Sequence, residues 1–495
     1  MSLAEPALWS ATSALVADEP TPWHWVVIAV AAVGEVLSVV FVYRVLVRGG
    51  SAASTLLWMA LILAAPWLGL LLYYLMPRRV QLKRLRHIRK QERRLRDAVS
   101  SQGGASLAGG AADREHSGLE ALLEARGGLS SGNALRWLPS GGDFFAAAAA
   151  VIASAQHHVH CVVYILRPDE TGLRFLDLLT EAATRGVKVR LCFDSVGSWG
   201  LKSSHLRELR AAGGHAVPFF PLLWKRRPFT LNLRNHRKLL VADGEVGYVG
   251  GRNIADEYRL DRVERSRRWY DAMMEVRGPA VDQLQDVFVQ DWCTATDEVL
   301  ADLSRPARQP TGRCRVGVVG CGPDEDPSAL WFALVQAISE AQRTIELSSP
   351  YLVLPPTLLF ALQLATARGV RVRVFTNGPS AEAAFLYHAQ RHRYRSLLDS
   401  NVEILETVQQ YNHTKFLVVD ERTVCIGSAN MDLRSAHLNF EVAAVALDAK
   451  PLAAAIQATI DERQPDFRQI TKADLPKNPF LRALDGVCGL FAPLL

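Results

Sequence analysis

Four polar positions recur in this chain at a constant offset, and that repetition restricts the possible folds more than any other feature. His236, Lys238, Asp243 and Asn253 are matched by His413, Lys415, Asp420 and Asn430, each 177 residues further on. Both sets follow one template: Asn-His-x-Lys, four residues, Asp, then Gly-x-x-Asn. A period this long means two copies of one sizeable unit rather than a short solenoid repeat. The flanks repeat as well. An apolar run over His160–Leu166 leads to a helical pattern over Leu173–Thr184 and an alternating run from Arg185 to Asp194. Thr344–Ser348, Thr357–Ala367 and Arg368–Thr376 follow the same cadence. Gly186 and Gly369 fit helix C-caps, and the valine-rich runs after them fit strands of a helix-covered sheet. The expected fold class is α/β, with two similar α/β/α sandwich lobes at residues 133–312 and 313–495.

The repeated residues suit phosphate chemistry. On a strand, positions i and i+2 share a face, so His236 and Lys238 are expected to project together, as are His413 and Lys415. Two such pairs facing each other would form one cationic pocket. Lysine ammoniums and the amides of Asn253 and Asn430 can hold phosphoryl oxygens, while two imidazoles divide the nucleophile and acid roles. A nucleophilic imidazole needs its second ring nitrogen held by an acceptor. Asp271 and Glu441 lie downstream on plausible strands, where the residues alone favour reading each as an ordinary strand-end carboxylate. A single His-x-Lys fits a surface pair; two in register with the asparagines argue for catalysis.

Ahead of the lobes, two apolar stretches at about 23–47 and 55–76 are each long enough to cross a bilayer. They predict a two-helix transmembrane hairpin over 23–77, after a short tail at 1–22. The tail carries Glu5, Asp18 and Glu19 and no basic residue, which opposes a secretory signal. Trp23, Trp25, Trp67, Tyr73 and Tyr74 fit interfacial belts, and Glu35 predicts a partner across the hairpin or a tilted helix. Residues 78–132 read as a basic stretch, Arg78 to Arg96, followed by a Ser/Gly/Ala linker. The basic flank predicts a multi-pass protein whose catalytic part is cytoplasmic, and it suits anionic lipid. Net charge is only +6, which by itself implies no nucleic-acid partner. Seven dispersed cysteines without a Cys-x-x-Cys pair read as buried thiols. His157, His158 and His160, at a helix-to-strand junction, read as a structural cluster, so no metal is expected. Pro218–Phe229 mixes aromatics and bases and fits either the headgroup layer or a packed loop.

With the paired motif, the segments Tyr164-Ile-Leu-Arg-Pro-Asp-Glu-Thr-Gly172, Asn253-Ile-Ala-Asp-Glu-Tyr258, Ser349-Pro-Tyr351, Met431-Asp-Leu-Arg-Ser435 and Leu438-Asn-Phe-Glu441 resemble the phospholipase D superfamily, and within it the bacterial cardiolipin synthases. The resemblance implies a phospholipase D fold in a bacterial inner-membrane enzyme that joins two phosphatidylglycerol molecules, releases glycerol and needs no cofactor. It implies a phosphohistidine on one motif histidine, with His236 favoured as nucleophile and His413 as acid and then base. Lys238, Lys415, Asn253 and Asn430 would steady the phosphate, Asp271 and Glu441 would orient the histidines, and Asp243 and Asp420 would brace the strands. A phospholipase D-type hydrolase or another transphosphatidylase would share these residues. A nuclease fits less well, although Arg391, His392 and Arg393 could imitate a basic groove. Arg252 departs from the family pattern, in which a small or apolar residue often stands there.

Overall fold

The computed structural model describes residues 22–47, 52–75, 117–126, 128–221, 233–259, 269–298, 300, 309–323, 329–380 and 383–490. The acidic tail up to residue 21, the basic run, the Ser/Gly/Ala segment and most of the 218–229 segment lie outside them. The chain divides into two compact units, Met1–Arg78 and Arg79–Leu495.

In the first unit, α1 (Pro22–Val47) is one continuous helix of 26 residues, about 39 Å long at 1.5 Å per residue. Its Trp25–Val47 segment is long and apolar enough to cross a membrane. The second apolar stretch differs from expectation. It forms two helices, α2 (Ala52–Ala64) and α3 (Pro66–Leu75), of 13 and 10 residues, and neither alone reaches across ~30 Å of hydrocarbon. Pro66 is the cause, because it has no N–H to give the carbonyl of Ile62 four residues back. Ser38 Oγ donates to that carbonyl instead, at 3.3 Å. A Cβ on Gly69 would lie 2.7 Å from Ile62 Cα, so only glycine allows the kinked segment to close on itself. Among the described residues there is thus one spanning-length helix, and the expected hairpin and multi-pass topology are not supported. Glu35 is exposed on α1, as are Trp23, Trp25 and Trp67 among the helices of this unit.

The second unit is built on one long sheet. The first half of this unit contains β1 (Ser130–Leu138), β2 (His158–Val163), β3 (Lys188–Asp194), β4 (His215–Phe219), β5 (Arg234–Asn235), β6 (Leu239–Ala242), β7 (Val246–Gly250), β8 (Trp269–Tyr270), which lies outside the long sheet, and β9 (Met273–Arg277). The second half contains β10 (Cys314–Cys321), β11 (Thr344–Ser348), β12 (Arg371–Thr376), β13 (Glu403–Thr407), β14 (Tyr411–Asn412), β15 (Phe416–Val419), β16 (Thr423–Gly427), β17 (Asn439–Leu447) and β18 (Phe467–Ile470). The order β4-β3-β2-β6-β7-β9-β1 meets its mirror, β10-β17-β16-β15-β11-β12-β13, at an antiparallel seam between β1 and β10, and β18 extends the far edge.

Helices cover the sheet: α4 (Gly118–Arg126), α5 (Gly141–Ser154), α6 (Glu170–Thr184), α7 (Arg207–Ala211), α8 (Ala280–Thr296), α9 (Ala329–Glu340), α10 (Pro356–Ala367), α11 (Ala384–Arg391), α12 (Tyr394–Asp399), α13 (Leu433–His437), α14 (Lys450–Arg463) and α15 (Pro479–Leu490). Every residue of β2 and β17 is buried, as a strand covered on both faces requires. Each lobe has its own outer core, and a shared inner core joins Phe288 and Trp292 of α8 to Phe440 and Ile456 of the other half. Gly186 and Gly369 both take φ of 89°, the left-handed geometry of a C-cap.

Part of the expected linker is folded. Leu119 and Leu123 of α4 enter the core of the second lobe, and the Leu119 N–H donates to Glu340 Oε1 at 2.8 Å. Phe219 and Phe220, expected as possible headgroup contacts, are fully buried against Phe440.

Candidate active site

The histidines do not sit in the ladders of β6 and β15. His236–Lys238 and His413–Lys415 occupy the gaps that precede those strands, because the chain there turns to pair with the opposite lobe. β5 pairs in parallel with the start of β17, and β14 with β8. The His236 N–H donates to Phe440 O at 3.0 Å and the His413 N–H to Tyr270 O at 2.6 Å. Each histidine is thereby set beside the residue following its acceptor, Glu441 or Asp271.

The carboxylates are exchanged between the lobes. His236 Nδ1 lies 3.0 and 3.1 Å from the two oxygens of Glu441, and His413 Nδ1 lies 2.5 Å from Asp271 Oδ2. With Nδ1 held, Nε2 is the ring nitrogen left for chemistry. Lys238 Nζ donates to His236 O and Lys415 Nζ to His413 O, both at 2.6 Å. The pocket is less cationic than expected, since two buried carboxylates balance the two lysines.

The two carboxylates are supported differently. Glu441 accepts from Ser428 Oγ at 2.5 Å, Ser435 Oγ at 2.9 Å and Asn439 Nδ2 at 3.2 Å. The position equivalent to Ser428 is Gly251, where a Cβ would come within 2.3 Å of Asp271 Oδ1. The shorter carboxylate thus needs glycine beside it, and the longer one meets a hydroxyl. Arg252 is buried and donates to the backbone carbonyls of Asp271 and Tyr258, which gives the departing residue a bracing contact behind Asp271.

Burial dominates the protonation states. It lowers the His236 imidazole to about 4, against the pull of Glu441, and lowers His413 to about 3, with Lys415 adding to the effect and Asp271 opposing it. Both rings are therefore neutral at pH 7. Burial would raise Glu441, but His236 and Lys238 outweigh it and hold the carboxyl at about 2. Burial lowers Lys415 to about 8 despite Asp271 and Glu441, and lowers Lys238 well below the usual lysine range.

Aromatic rings wall the site. Tyr164 meets His236 edge-on at 4.9 Å, and Lys238 Nζ lies 5.2 Å from the Tyr164 ring centre. Tyr258 and Trp269 lie 5.6 and 5.5 Å from His413, and Trp269 stacks on Tyr411 at 4.3 Å. Tyr164 and Tyr258 stand inside segments that carried the family resemblance, which was the available signal for them. Trp269 is a few residues before its lobe's β9 and had none.

The other expected site residues make their hydrogen bonds to groups other than the two imidazoles. Asn253 accepts from the Ile165 N–H at 3.1 Å and donates to the Tyr258 hydroxyl at 2.6 Å. Asn430 is buried, and its backbone N–H donates to Ser435 Oγ at 3.2 Å. Asp243 and Asp420 do not reach the histidines. They lie past the far ends of β6 and β15 at φ of 51°, and each accepts three backbone N–H groups, from residues 156–158 and 342–344 respectively. His158 and His160 stack on each other and both bond to Gln285. Arg391 pairs with Asp485 of α15, so it is not part of an open basic groove. Among the described residues no cluster of three His, Cys, Asp or Glu is arranged to hold a metal ion.

Residues 149–292 and 334–463, more than half the chain, match the family model described as cardiolipin synthase, PLD-like domain. The chain belongs to this family of cardiolipin synthases. It is 38% identical over 371 residues to the cardiolipin synthase of Geobacillus thermodenitrificans (strain NG80-2), a match covering 72% of each chain. It is 33% identical over 388 residues to the cardiolipin synthase of Listeria innocua serovar 6a, covering 77% of this chain and 80% of that one. The fold is similar to that of phosphatidylserine synthase from Haemophilus influenzae Rd KW20, with a TM-score of 0.56, 15% identity and coverage of 76% of this chain and 97% of that one. As a member of the cardiolipin synthase family, the chain is a phospholipid phosphatidyltransferase.

Proposed function

We propose that this enzyme transfers a phosphatidyl group from one phosphatidylglycerol to a second, forming cardiolipin and glycerol through a phosphohistidine. The observation that carries the reading is the exchanged pair of His–carboxylate contacts, which puts two oriented imidazoles in one buried site with two lysines. In the first step His236 Nε2 attacks phosphorus, the P–O bond to glycerol breaks, and His413 gives the leaving oxygen its proton. In the second step His413 takes the proton of a headgroup hydroxyl on the second phosphatidylglycerol. That oxygen attacks phosphorus, and the P–N bond breaks to restore His236. One phosphodiester replaces another, so no nucleotide is consumed.

Lys238 and Lys415 would hold the phosphoryl oxygens as charge shifts onto them, with Asn253 and Asn430 alongside. The anionic phosphodiester favours an imidazolium beside it, so substrate would bind together with the proton that His413 later donates. Glu441 and Asp271 would hold the rings and stabilise their charged forms, and Asp243 and Asp420 would brace the strands. The apolar α1 and the basic stretch after residue 77 support an enzyme held at the bacterial inner membrane with its catalytic unit on the cytoplasmic side.

Purified enzyme given phosphatidylglycerol in detergent should yield cardiolipin and glycerol without nucleotide and in the presence of chelator. Phosphatidic acid as the sole product would make it a hydrolase instead.

A further inference from the structure

Apolar side chains are exposed on both rims of the catalytic site, beyond the carboxyl ends of the central strands. On the first lobe, the turn after β3 presents Trp199, which is 72% exposed. A Cβ on Gly197 would come within 2.8 Å of the Tyr164 ring, and Tyr164 itself meets His236, so this turn adjoins the wall of the site. On the second lobe the rim is α15. Its inner face packs Leu484 and Cys488 against Val353 and Leu433. Val353 is two residues beyond Tyr351, whose hydroxyl bonds to that of Tyr411, and Leu433 is three residues beyond Asn430. His388 and Arg391 of α11 both pair with Asp485 and fasten the helix in place.

The outer face of α15 is different in kind. Phe480, Ala483, Val487 and Leu490 recur at helical spacing and all are exposed, with Phe480 at 74% and Leu490 at 78%. Exposed basic residues, Lys477 and Arg482, flank this stripe, and Asp485, the one acid in the helix, is turned inward onto Arg391. An apolar stripe with a basic margin is complementary to the headgroup layer of an anionic bilayer.

We infer that the outer face of α15, together with Trp199, is the surface by which the catalytic unit rests on an anionic bilayer, so that lipid enters the site without crossing water. The inference rests on the phospholipid substrate proposed above. Lipid leaving a bilayer for an aqueous pocket would expose its acyl chains to water, which is unfavourable for every methylene uncovered. Apolar rims in contact with the bilayer remove that exposure.

The test compares the full-length enzyme with the F480S/V487S/L490S triple variant, following phosphatidylglycerol consumption in two forms. In phosphatidylglycerol-containing vesicles the variant should show a KM about tenfold higher, since three apolar anchors are lost. On short-chain phosphatidylglycerol below its micelle concentration, kcat and KM should stay within about twofold of the parent. F480L/V487L/L490M, which keeps the face apolar, should behave as the parent on both. Unchanged vesicle kinetics in the triple serine variant would overturn the inference, as would equal losses on both substrates. A change in particle mass by light scattering, from a larger species in the parent to a smaller one in the variant, would assign the face to a second copy of the chain and overturn it as well. If the parent releases phosphatidic acid rather than cardiolipin, the acceptor reading fails while the comparison of vesicles with monomers still decides this one.

Discussion

His236 and His413 are tied to partners 205 and 142 residues away, and those ties make each ring usable. A neutral, oriented imidazole is a competent nucleophile, and the same ring next to a carboxylate can carry a proton. H236A and H413A should each lower phosphatidyl transfer about a thousandfold or more while thermal melting stays near that of the parent. Trapping ³²P on protein from labelled substrate should succeed in H413A and fail in H236A if His236 is the nucleophile. Gly251 gives a sharper check of the carboxylate geometry. G251A would push a methyl group into Asp271, so kcat should fall about tenfold or more with little change in KM. The pH dependence follows from the same residues. kcat/KM should fall below about pH 4 as His236 protonates, should decline as pH rises above that because the proton His413 donates has to be taken up with the substrate, and should fall more steeply above about pH 8 as Lys415 loses its charge.

Among the elements, the motif strands show how one short sequence does two jobs. The His-x-Lys end leaves its own sheet to pair across the lobes, and the Asp end turns tightly and gathers three N–H groups from the preceding helix-to-strand junction. D243A or D420A would strip those donors and should cost roughly 2 kcal/mol of stability in denaturant unfolding, with kcat little changed. An equal loss of kcat without loss of stability would instead place these aspartates in the chemistry. The local patterns that predicted helices and strands are those with clear periodicity, such as Glu170–Thr184 and Lys188–Asp194. They were legible because burial on one face is a local property of the sequence. The kink at Pro66 was also written in the chain, but hydropathy averaged over a window passes across it. Leu119 and Leu123 went unread because nine residues at the end of a polar stretch carry little periodic signal until a partner helix covers them.

For the whole molecule, folding is tied to pH through the same buried rings. Above about pH 6.5 both histidines are neutral in the folded and unfolded chain, so they have no effect on stability. As pH falls below that value the unfolded chain takes up protons that the folded chain refuses, and stability drops until the folded values near 4 and 3 are passed. The midpoint of thermal unfolding should therefore fall between pH 7 and pH 4.5, and less steeply in H236N/H413N. The mirror order of strands about β1 and β10 joins the lobes through one inner core, so this loss should appear as one cooperative transition of the catalytic unit. That there are two copies of one α/β unit, and which chemical groups each brings, is legible in the chain alone, because a constant offset of 177 residues and local periodicity need no folded partner to be seen. Which carboxylate serves which histidine is set by the folded arrangement. That choice is made by parallel pairing of β5 with β17 and of β14 with β8, between segments that no local pattern relates.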